Sequence, residues 1–290
     1  MAVFSSIERR KADHLVAKEF ENLNITAPAR DASTVMLLRD SAKGIEVFMV
    51  VRHQNIEFAP GALVFPGGSV DENDKDPRLR ESVAPSALEA REFAWQVAAV
   101  REVYEESAVL LARDAGCKQL LGGSRLDAIN RRFENELANH RLNIAELVFS
   151  EQLELAIDEL VAFAHWVTPE SRPKRFDTRF YLAAVPPRQQ AIHDGRESVD
   201  SLWGAPAEII AQAEQGRWQL RFPTRLNLEK LARSASVAAA LETARLSNVV
   251  RILARAETVE GGSRVRIPLE AGYGMSEAIL DAQGVLVSRR

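Results

Sequence analysis

The chain has 290 residues and a formal net charge of −4, and 46% of its residues are hydrophobic while 27% are charged. This composition is typical of a globular protein, and the length suits one large domain or two small ones. The acidic balance provides no basic surface for a nucleic-acid duplex, and no apolar run is long enough to cross a bilayer. The single cysteine, Cys117, cannot form an intramolecular disulfide, and the start of the chain does not read as a secretory signal. We therefore expect a cytoplasmic protein.

The first part of the chain predicts a short helix, a hairpin and a third strand. An amphipathic helix and a polar lead-in are expected over residues 1–30. Two β-branched apolar runs, at 33–40 and 45–53, are divided by a short polar stretch and favour a β-hairpin. A third short strand at 61–68 ends in Pro-Gly-Gly. The acidic stretch 69–82 then lacks apolar periodicity, which indicates a loop.

A long helix follows, and the rest of the chain alternates between helical and extended patterns. Ser86 is placed to cap this helix, and Glu89 stands three residues further on, which completes a capping box. Residues 114–160 are mostly helical in pattern and are expected to form an insertion over the core. Later strands are predicted at 160–169, 175–185 and 197–204, and helices at 206–215, 222–232 and 235–246.

Strands interleaved with helices predict a single α/β domain with a mixed sheet. No internal repeat and no low-complexity linker divides the chain, so one elaborated domain is favoured over two. Residues 205–290 are expected to be a mainly helical extension of that domain, with weak strand signals from Arg264 onward.

Three glutamates crowd one face of the long helix. Glu102, Glu105 and Glu106 stand at i, i+3 and i+4, where like charges repel. The arrangement becomes favourable when a divalent cation lies between the carboxylates, and oxygen-only ligands favour Mg²⁺ or Mn²⁺. Mg²⁺ commonly takes its remaining ligands from substrate phosphates, which points to a phosphate-bearing substrate. Taken alone, the same pattern also fits a solvated charged face.

A glycine pair precedes the acidic helix. Gly67 and Gly68 end a strand, and glycines allow the backbone to approach a phosphate or to pack tightly against a metal-bearing helix. Taken alone, the pair is explained by a turn. Together, "FPGG" and the later "REVYEESAV" resemble the Nudix box, Gly-x5-Glu-x7-Arg-Glu-U-x-Glu-Glu-x-Gly-U, in which U is apolar.

The match to the Nudix box has three departures. Asp74 occupies the position of the first glutamate, six residues after Gly68. Ala108 stands where the family has glycine. The second spacer, residues 75–100, has 26 residues where the family has seven, which we interpret as an insertion that leaves the acidic face intact.

The resemblance implies a Nudix-type α/β/α sandwich with a mixed sheet, elaborated by helical insertions at 75–100 and 114–160. It also implies Mg²⁺- or Mn²⁺-dependent cleavage of a pyrophosphate that joins a nucleoside to another moiety. By this similarity Glu105 and Glu106 are the main expected metal ligands, and Glu102 is expected to be a further ligand or the group that orients the attacking water. Gly67 and Gly68 are expected to contact substrate through the backbone, while Arg101 should pair with a box carboxylate.

The family also uses an acid outside the box. By similarity, Glu197 in "ESVDSLW" is the expected extra acid, because it precedes a strand that ends at Trp203. Asp200 is the competing residue. The expected catalytic residues are therefore Glu102, Glu105 and Glu197.

The interrupted box resembles that of the peroxisomal acyl-CoA diphosphatase branch of the Nudix hydrolases. This implies a CoA-like substrate that is split into 3',5'-ADP and (acyl-)4'-phosphopantetheine, with Arg52 near the substrate phosphates. For Arg175 and Arg179, a strand edge or pairing with Asp177 is the favoured interpretation over phosphate binding. Three other substrates stay open: ADP-ribose, NADH and a capped RNA end. A non-catalytic nucleotide sensor and a homodimer also stay open. A membrane or duplex nucleic-acid partner is not expected.

Overall fold

The computed structural model describes residues 27–53, 60–84 and 87–290. The helix expected at the start of the chain and the capping role expected of Ser86 fall outside these residues.

The described residues form strands that are joined by α-helices and short 3-10 helices. The strands are β1 (Arg30–Ser41), β2 (Gly44–Arg52), β3 (Leu63–Val64), β4 (Gly67–Ser69), β5 (Ala112–Asp114), β6 (Leu153–Leu155), β7 (Val161–Val167), β8 (Phe176–Ala184), β9 (Ser198–Gly204), β10 (Arg251–Leu253), β11 (Arg255–Val259), β12 (Gly262–Arg266), β13 (Glu277–Asp281) and β14 (Leu286–Arg289). The α-helices are α1 (Ala90–Ser107), α2 (Ser124–Arg132), α3 (Glu134–Ala138), α4 (Ile144–Glu151), α5 (Pro206–Glu214), α6 (Phe222–Leu231) and α7 (Val237–Leu246). The 3-10 helices are Glu72–Lys75, Pro77–Ser82, Ile157–Glu159 and Leu269–Ala271.

The predicted hairpin of β1 and β2 is confirmed, and it opens into a gap that accommodates the glycine pair. The two strands pair from Ser41 opposite Gly44 as far as Leu38 opposite Val47. Further along, β1 pairs with β4 and β2 pairs with β3, so the two strands have separated. Gly67 and Gly68 therefore lie where the main sheet divides.

The main sheet is mixed, as the alternation of strands and helices predicts. Its strands run in the order β10, β7, β8, β1, β2 and β3, with β4 paired to β1 and β9 paired to β2. The β1–β8 and β7–β10 pairs are parallel, and the other pairs are antiparallel. Parallel neighbours need crossover connections, which the helices supply.

Both faces of the sheet are covered, so the predicted α/β/α sandwich is confirmed. Val35 and Leu37 of β1 face a core shared with α1 and with residues 109–160. Met36 and Leu38 of the same strand face a second core with α5, α6, α7 and part of the C-terminal sheet. A strand buried on both sides loses the alternation of apolar and polar residues, which explains the continuous apolar run in β1.

The structure corrects two expectations about the region between the glycines and the acidic face. Helix α1 begins at Ala90, and Glu89 is its N-cap residue without a side-chain capping bond. The expected loop at 69–82 contains two 3-10 helices. The stretch 75–100 therefore adds one 3-10 helix and the first turns of α1 ahead of the acidic residues.

The C-terminal extension departs from the mainly helical expectation for 205–290. It is helical from Pro206 to Leu246, but strands β10 to β14 follow, and β11 to β14 form an antiparallel sheet. These strands are short and carry charged residues on their open face, such as Arg266 and Glu277, so their apolar periodicity is weak. The weak strand signals from Arg264 onward correspond to this sheet.

Residues 114–160 form α2, α3 and α4, framed by the short β5–β6 pair.

In the described part of the chain, no helix is long and apolar enough to span a membrane.

Helix α1 ends in a strained residue. Ala108 has φ 57° and ψ 14°, in the left-handed region, and its N–H donates to the carbonyl of Tyr104. A side chain in this conformation costs about 1–2 kcal/mol, which glycine avoids.

We predict that Ala108→Gly raises the free energy of unfolding by about 0.5–1 kcal/mol, because relief of the strain exceeds the added entropy of the unfolded chain. Urea denaturation measures this change. The matched control is Ala211→Gly on an exposed position of α5, which should lower stability by about 1 kcal/mol. Equal losses in both variants would contradict the assignment of strain to Ala108.

Candidate active site

The acidic face of α1 is buried against the sheet. Glu102, Glu105 and Glu106 are 9%, 6% and 3% exposed, respectively. The interpretation of this pattern as a solvated charged face is therefore wrong. Buried carboxylates need hydrogen bonds, cations or protons, so the partners of each one define what the site can do.

The glycine pair lies directly against this face. The Gly67 N–H donates to Oε2 of Glu106 at 3.1 Å. A Cβ atom on Gly68 would lie 2.5 Å from the carboxylate oxygens of Glu102, so only glycine allows this approach. The insertion at 75–100 has therefore left the acidic face beside the glycine loop.

Arg101 holds the loop and the helix together, as the resemblance implies. Its Nε and Nη2 donate to the two carboxylate oxygens of Asp74 at 2.8 Å, and Nη2 also donates to the carbonyl of Ser69 at 2.9 Å. Its Nη1 donates to Glu102 at 2.9 Å and to Glu105 at 2.8 Å. Asp74 is fully buried in its 3-10 helix, and this local geometry brings the shorter acid within reach of Arg101.

Glu105 differs from the other two glutamates in its partners. Its Oε1 accepts the N–H of Leu142 at 3.1 Å, and its Oε2 accepts from Arg101. Both oxygens are therefore engaged within the protein. Leu142 belongs to the loop between α3 and α4, so Glu105 joins α1 to the helical insertion.

Glu102 and Glu106 carry strongly perturbed carboxyl groups. Burial raises the pKa of Glu102 to about 7 despite the attraction of Arg101, and repulsion from Glu105 and Asp74 adds to the rise. Burial also raises the pKa of Glu106 to about 8, and the charge of Glu102 adds to the effect. The cluster therefore holds more negative charge than its guanidinium compensates, which favours binding of a cation.

The donor set fits a hard divalent ion. Carboxylate oxygens are the ligands that Mg²⁺ and Mn²⁺ prefer, and Mg²⁺ is commonly bound by one or two carboxylates with water and substrate oxygens. Within the described residues, no three acidic, histidine or cysteine side chains already converge as a metal cluster. Glu102 and Glu106 are the residues that would hold such an ion, and its remaining ligands would come from water and substrate.

Arg52 and Glu197 lie on the sheet side of the same cluster. Arg52 ends β2 opposite Ser198, and the His53 N–H donates to the carbonyl of Glu197 at 2.8 Å. The positive charge of Arg52 lowers the pKa of Glu106, and the negative charge of Glu197 raises it. Both residues are thus close enough to act on the buried carboxylate.

Asp200, the competing acid, lies further along β9 and opposite Val51. Its carboxylate accepts the N–H of Ser201 at 2.8 Å. The placement favours Glu197 as the extra acid of the cluster.

Arg175 and Arg179 both bond to other groups within the protein. Arg175 donates to the carbonyls of Ala27 and Thr168, and Arg179 pairs with Glu92 at 3.0 Å.

Pairing with Asp177 was one of the two interpretations favoured for these arginines. The Asp177 carboxylate instead bonds to His165, Arg91 and Arg251.

Two residues that the sequence did not single out meet next to β9: Asp194, in the segment that leads to it, and His140, in the loop between α3 and α4. The carboxylate of Asp194 accepts the N–H groups of Glu197 and Ser198, and His140 Nε2 donates to it at 2.9 Å. Burial lowers the pKa of His140, but the bond to Asp194 and the charges of Glu197 and Glu105 outweigh this and raise it to about 9. An Asp-Gly pair three residues before Glu197 is a turn signal that predicts part of this arrangement.

The family of the chain follows from a match to a known domain. Residues 80–231 match the family model described as the NUDT19 Nudix domain, which is 152 of 290 residues. The matched stretch contains the acidic residues of α1 and Glu197. The chain belongs to the Nudix hydrolase family.

Curated relatives agree with this family. The chain is 27% identical over 210 residues to a Caenorhabditis elegans protein called nudix hydrolase 7, covering 72% of this chain and 62% of that protein. It is 25% identical over 241 residues to the acyl-coenzyme A diphosphatase NUDT19 of Gallus gallus, covering 66% of this chain and 62% of that protein. The chain therefore spans less than two thirds of the length of these relatives.

A solved structure supports the fold. The crystal structure of a NUDIX hydrolase from Alicyclobacillus acidocaldarius superposes with a TM-score of 0.64 at 25% identity. The superposition covers 77% of this chain and 99% of that one.

The two glycines should respond differently to the same substitution. Gly67 has φ 157°, and a Cβ there would lie 2.3 Å from the carbonyl oxygen of Ser33. Because backbone cannot give way, Gly67→Ala should lower the free energy of unfolding by more than about 2 kcal/mol.

Gly68→Ala instead meets the flexible end of Glu102, so its loss of stability should be smaller. The displaced carboxylate should weaken Mn²⁺ binding by about tenfold or more, which titration calorimetry measures. Unchanged Mn²⁺ affinity in a folded Gly68→Ala protein would contradict the placement of Glu102.

Proposed function

We propose that the protein hydrolyses the diphosphate of a nucleoside diphosphate derivative with the help of Mg²⁺ or Mn²⁺. The observation that carries this proposal is the pair of buried carboxylates, Glu102 and Glu106, next to Gly67 and Gly68. Burial of a carboxylate charge costs free energy unless a cation or another partner compensates it, and carboxyl groups with such perturbed pKa values are common at functional sites. Membership of the Nudix hydrolase family supports the same conclusion.

We assign the divalent ion to Glu102 and Glu106. When bound, it would neutralise the diphosphate and stabilise the developing negative charge. Glu105 was also expected as a ligand, but both of its oxygens are engaged with Arg101 and Leu142. We therefore propose that Glu105 fixes the geometry of the site.

Two residues at the rim complete the proposed site. Arg52 is placed to bind phosphate oxygens, because it ends β2 close to Glu106. Glu197 is exposed and acts on the same carboxylate, so we assign to it the removal of a proton from the attacking water.

For the substrate we propose CoA or an acyl-CoA, with 3',5'-ADP and (acyl-)4'-phosphopantetheine as products. The interrupted box supports this choice, as does the match to the NUDT19 Nudix domain. The Gallus gallus relative carries the name acyl-coenzyme A diphosphatase, which points the same way.

A substrate panel tests the proposal. Purified protein is incubated with Mg²⁺ or Mn²⁺ and with CoA, acyl-CoAs, ADP-ribose, NADH and capped RNA, and the products are identified by mass spectrometry. We expect 3',5'-ADP from CoA and its esters, and no product after chelation of the metal. If AMP from ADP-ribose or NADH is the main product, the CoA assignment is wrong and one of these compounds is the substrate. Tight binding without turnover would contradict the enzyme and indicate a nucleotide sensor.

We predict that Glu106→Gln lowers kcat by about two orders of magnitude and weakens Mn²⁺ binding, with stability unchanged or raised. The amide oxygen can still accept from Gly67, and a costly buried charge is removed. Glu105→Gln should instead lower the free energy of unfolding by about 1–3 kcal/mol, because one oxygen cannot serve both Arg101 and Leu142. Mn²⁺ titration with urea denaturation separates the two effects. If Glu105→Gln loses as much Mn²⁺ affinity as Glu106→Gln, Glu105 is a metal ligand and the proposed structural role is wrong.

A further inference from the structure

A single carboxylate organises the turn that carries Glu197. The Asp194 Oδ2 atom accepts the Glu197 N–H at 2.9 Å, and its Oδ1 atom accepts the Ser198 N–H at 3.0 Å. The Asp194 side chain is only 6% exposed, although the turn itself lies at the surface. Gly195, with φ 71°, allows the chain to reverse immediately after Asp194.

The same carboxylate is held from the other side by the helical insertion. His140 Nε2 donates to Asp194 Oδ2 at 2.9 Å. His140 lies in the loop between α3 and α4, where its φ is 48°. Two residues later, Leu142 donates to Glu105. The loop therefore contacts the acidic helix at one point and the Glu197 turn at another.

Glu197 is fixed through its backbone. Its N–H donates to Asp194, and its carbonyl accepts from His53. Its side chain is exposed, so packing does little to determine where its carboxylate lies relative to Glu106. The position of the turn must therefore set the position of that carboxylate.

We infer that Asp194, held by His140, is a positioning residue that fixes the Glu197 turn beside the acidic face of α1. This inference rests on the proposed function for the catalytic role of Glu197. It gives the insertion at 114–160 a specific task, because the insertion supplies His140.

The first experiment examines the turn without substrate or metal. Arg196 is exposed within the turn, so trypsin reports on its opening. We expect Asp194→Ala and His140→Ala to increase cleavage after Arg196 and amide exchange at Glu197 and Ser198. Asp127→Ala, on an exposed position of α2, is the matched control and should change neither. An unaltered turn in Asp194→Ala would overturn the inference.

The second experiment asks whether Asp194 acts through Glu197. We expect Asp194→Ala to lower kcat by about 10- to 100-fold, with KM within about threefold of the wild type. Asp194→Asn keeps one acceptor oxygen and should recover part of kcat. In a Glu197→Gln background, Asp194→Ala should add less than about a twofold loss.

The outcomes separate this inference from the proposed function. Losses that multiply in the double variant would show that Asp194 acts independently of Glu197, and would overturn its positioning role. If the wild-type protein hydrolyses no diphosphate, the proposed function fails, and the trypsin and amide-exchange experiment then decides the inference alone. An opened turn in Asp194→Ala and His140→Ala still supports the positioning role of Asp194, whereas an unaltered turn overturns it.

Discussion

The site depends on the hydrogen bonds and ion pairs of the buried Arg101 guanidinium. It donates to Asp74, Glu102, Glu105 and the carbonyl of Ser69, and so it compensates carboxylates that would otherwise repel one another. Removal of one partner of a buried ion pair costs about 3–5 kcal/mol, because the other charges stay buried. Arg101 also accounts for the tolerance of a long spacer. The contact between Asp74 and Arg101 joins the two ends of this spacer directly, whatever the number of residues between them.

Arg101 compensates only part of the negative charge of the cluster. The three glutamates differ in the partners that approach them, and they fall into two groups. Glu105 is fully engaged by Arg101 and Leu142, whereas Glu102 and Glu106 keep raised pKa values. The helix alone does not produce this division, because all three side chains share one face. It arises from what approaches that face: the glycine loop on one side and the insertion on the other. The same helix thus carries, within two turns, one carboxylate that is engaged by the protein and two whose pKa values are raised.

Much of the architecture could be predicted from the sequence because its signals are local. The hairpin of β1 and β2 and the stripe of Glu102, Glu105 and Glu106 follow from periodicity. The C-terminal sheet could not, because its strands are short and half exposed. The pairing of His140 with Asp194 joins residues 54 positions apart, and no local pattern encodes such a contact. The partners of Glu105 are likewise a property of the tertiary structure.

The acids of the proposed site come from elements of different rigidity. Glu102 and Glu106 lie on one buried helix, and their mutual geometry is fixed by that helix. Glu197 lies on a turn at the surface, where loops are more mobile than the elements they connect. Its placement therefore requires added constraints, which the structure supplies through backbone bonds to Asp194 and His53. Because His140 holds Asp194 from the helical insertion, the same insertion that contacts Glu105 also limits the movement of Glu197 relative to Glu106.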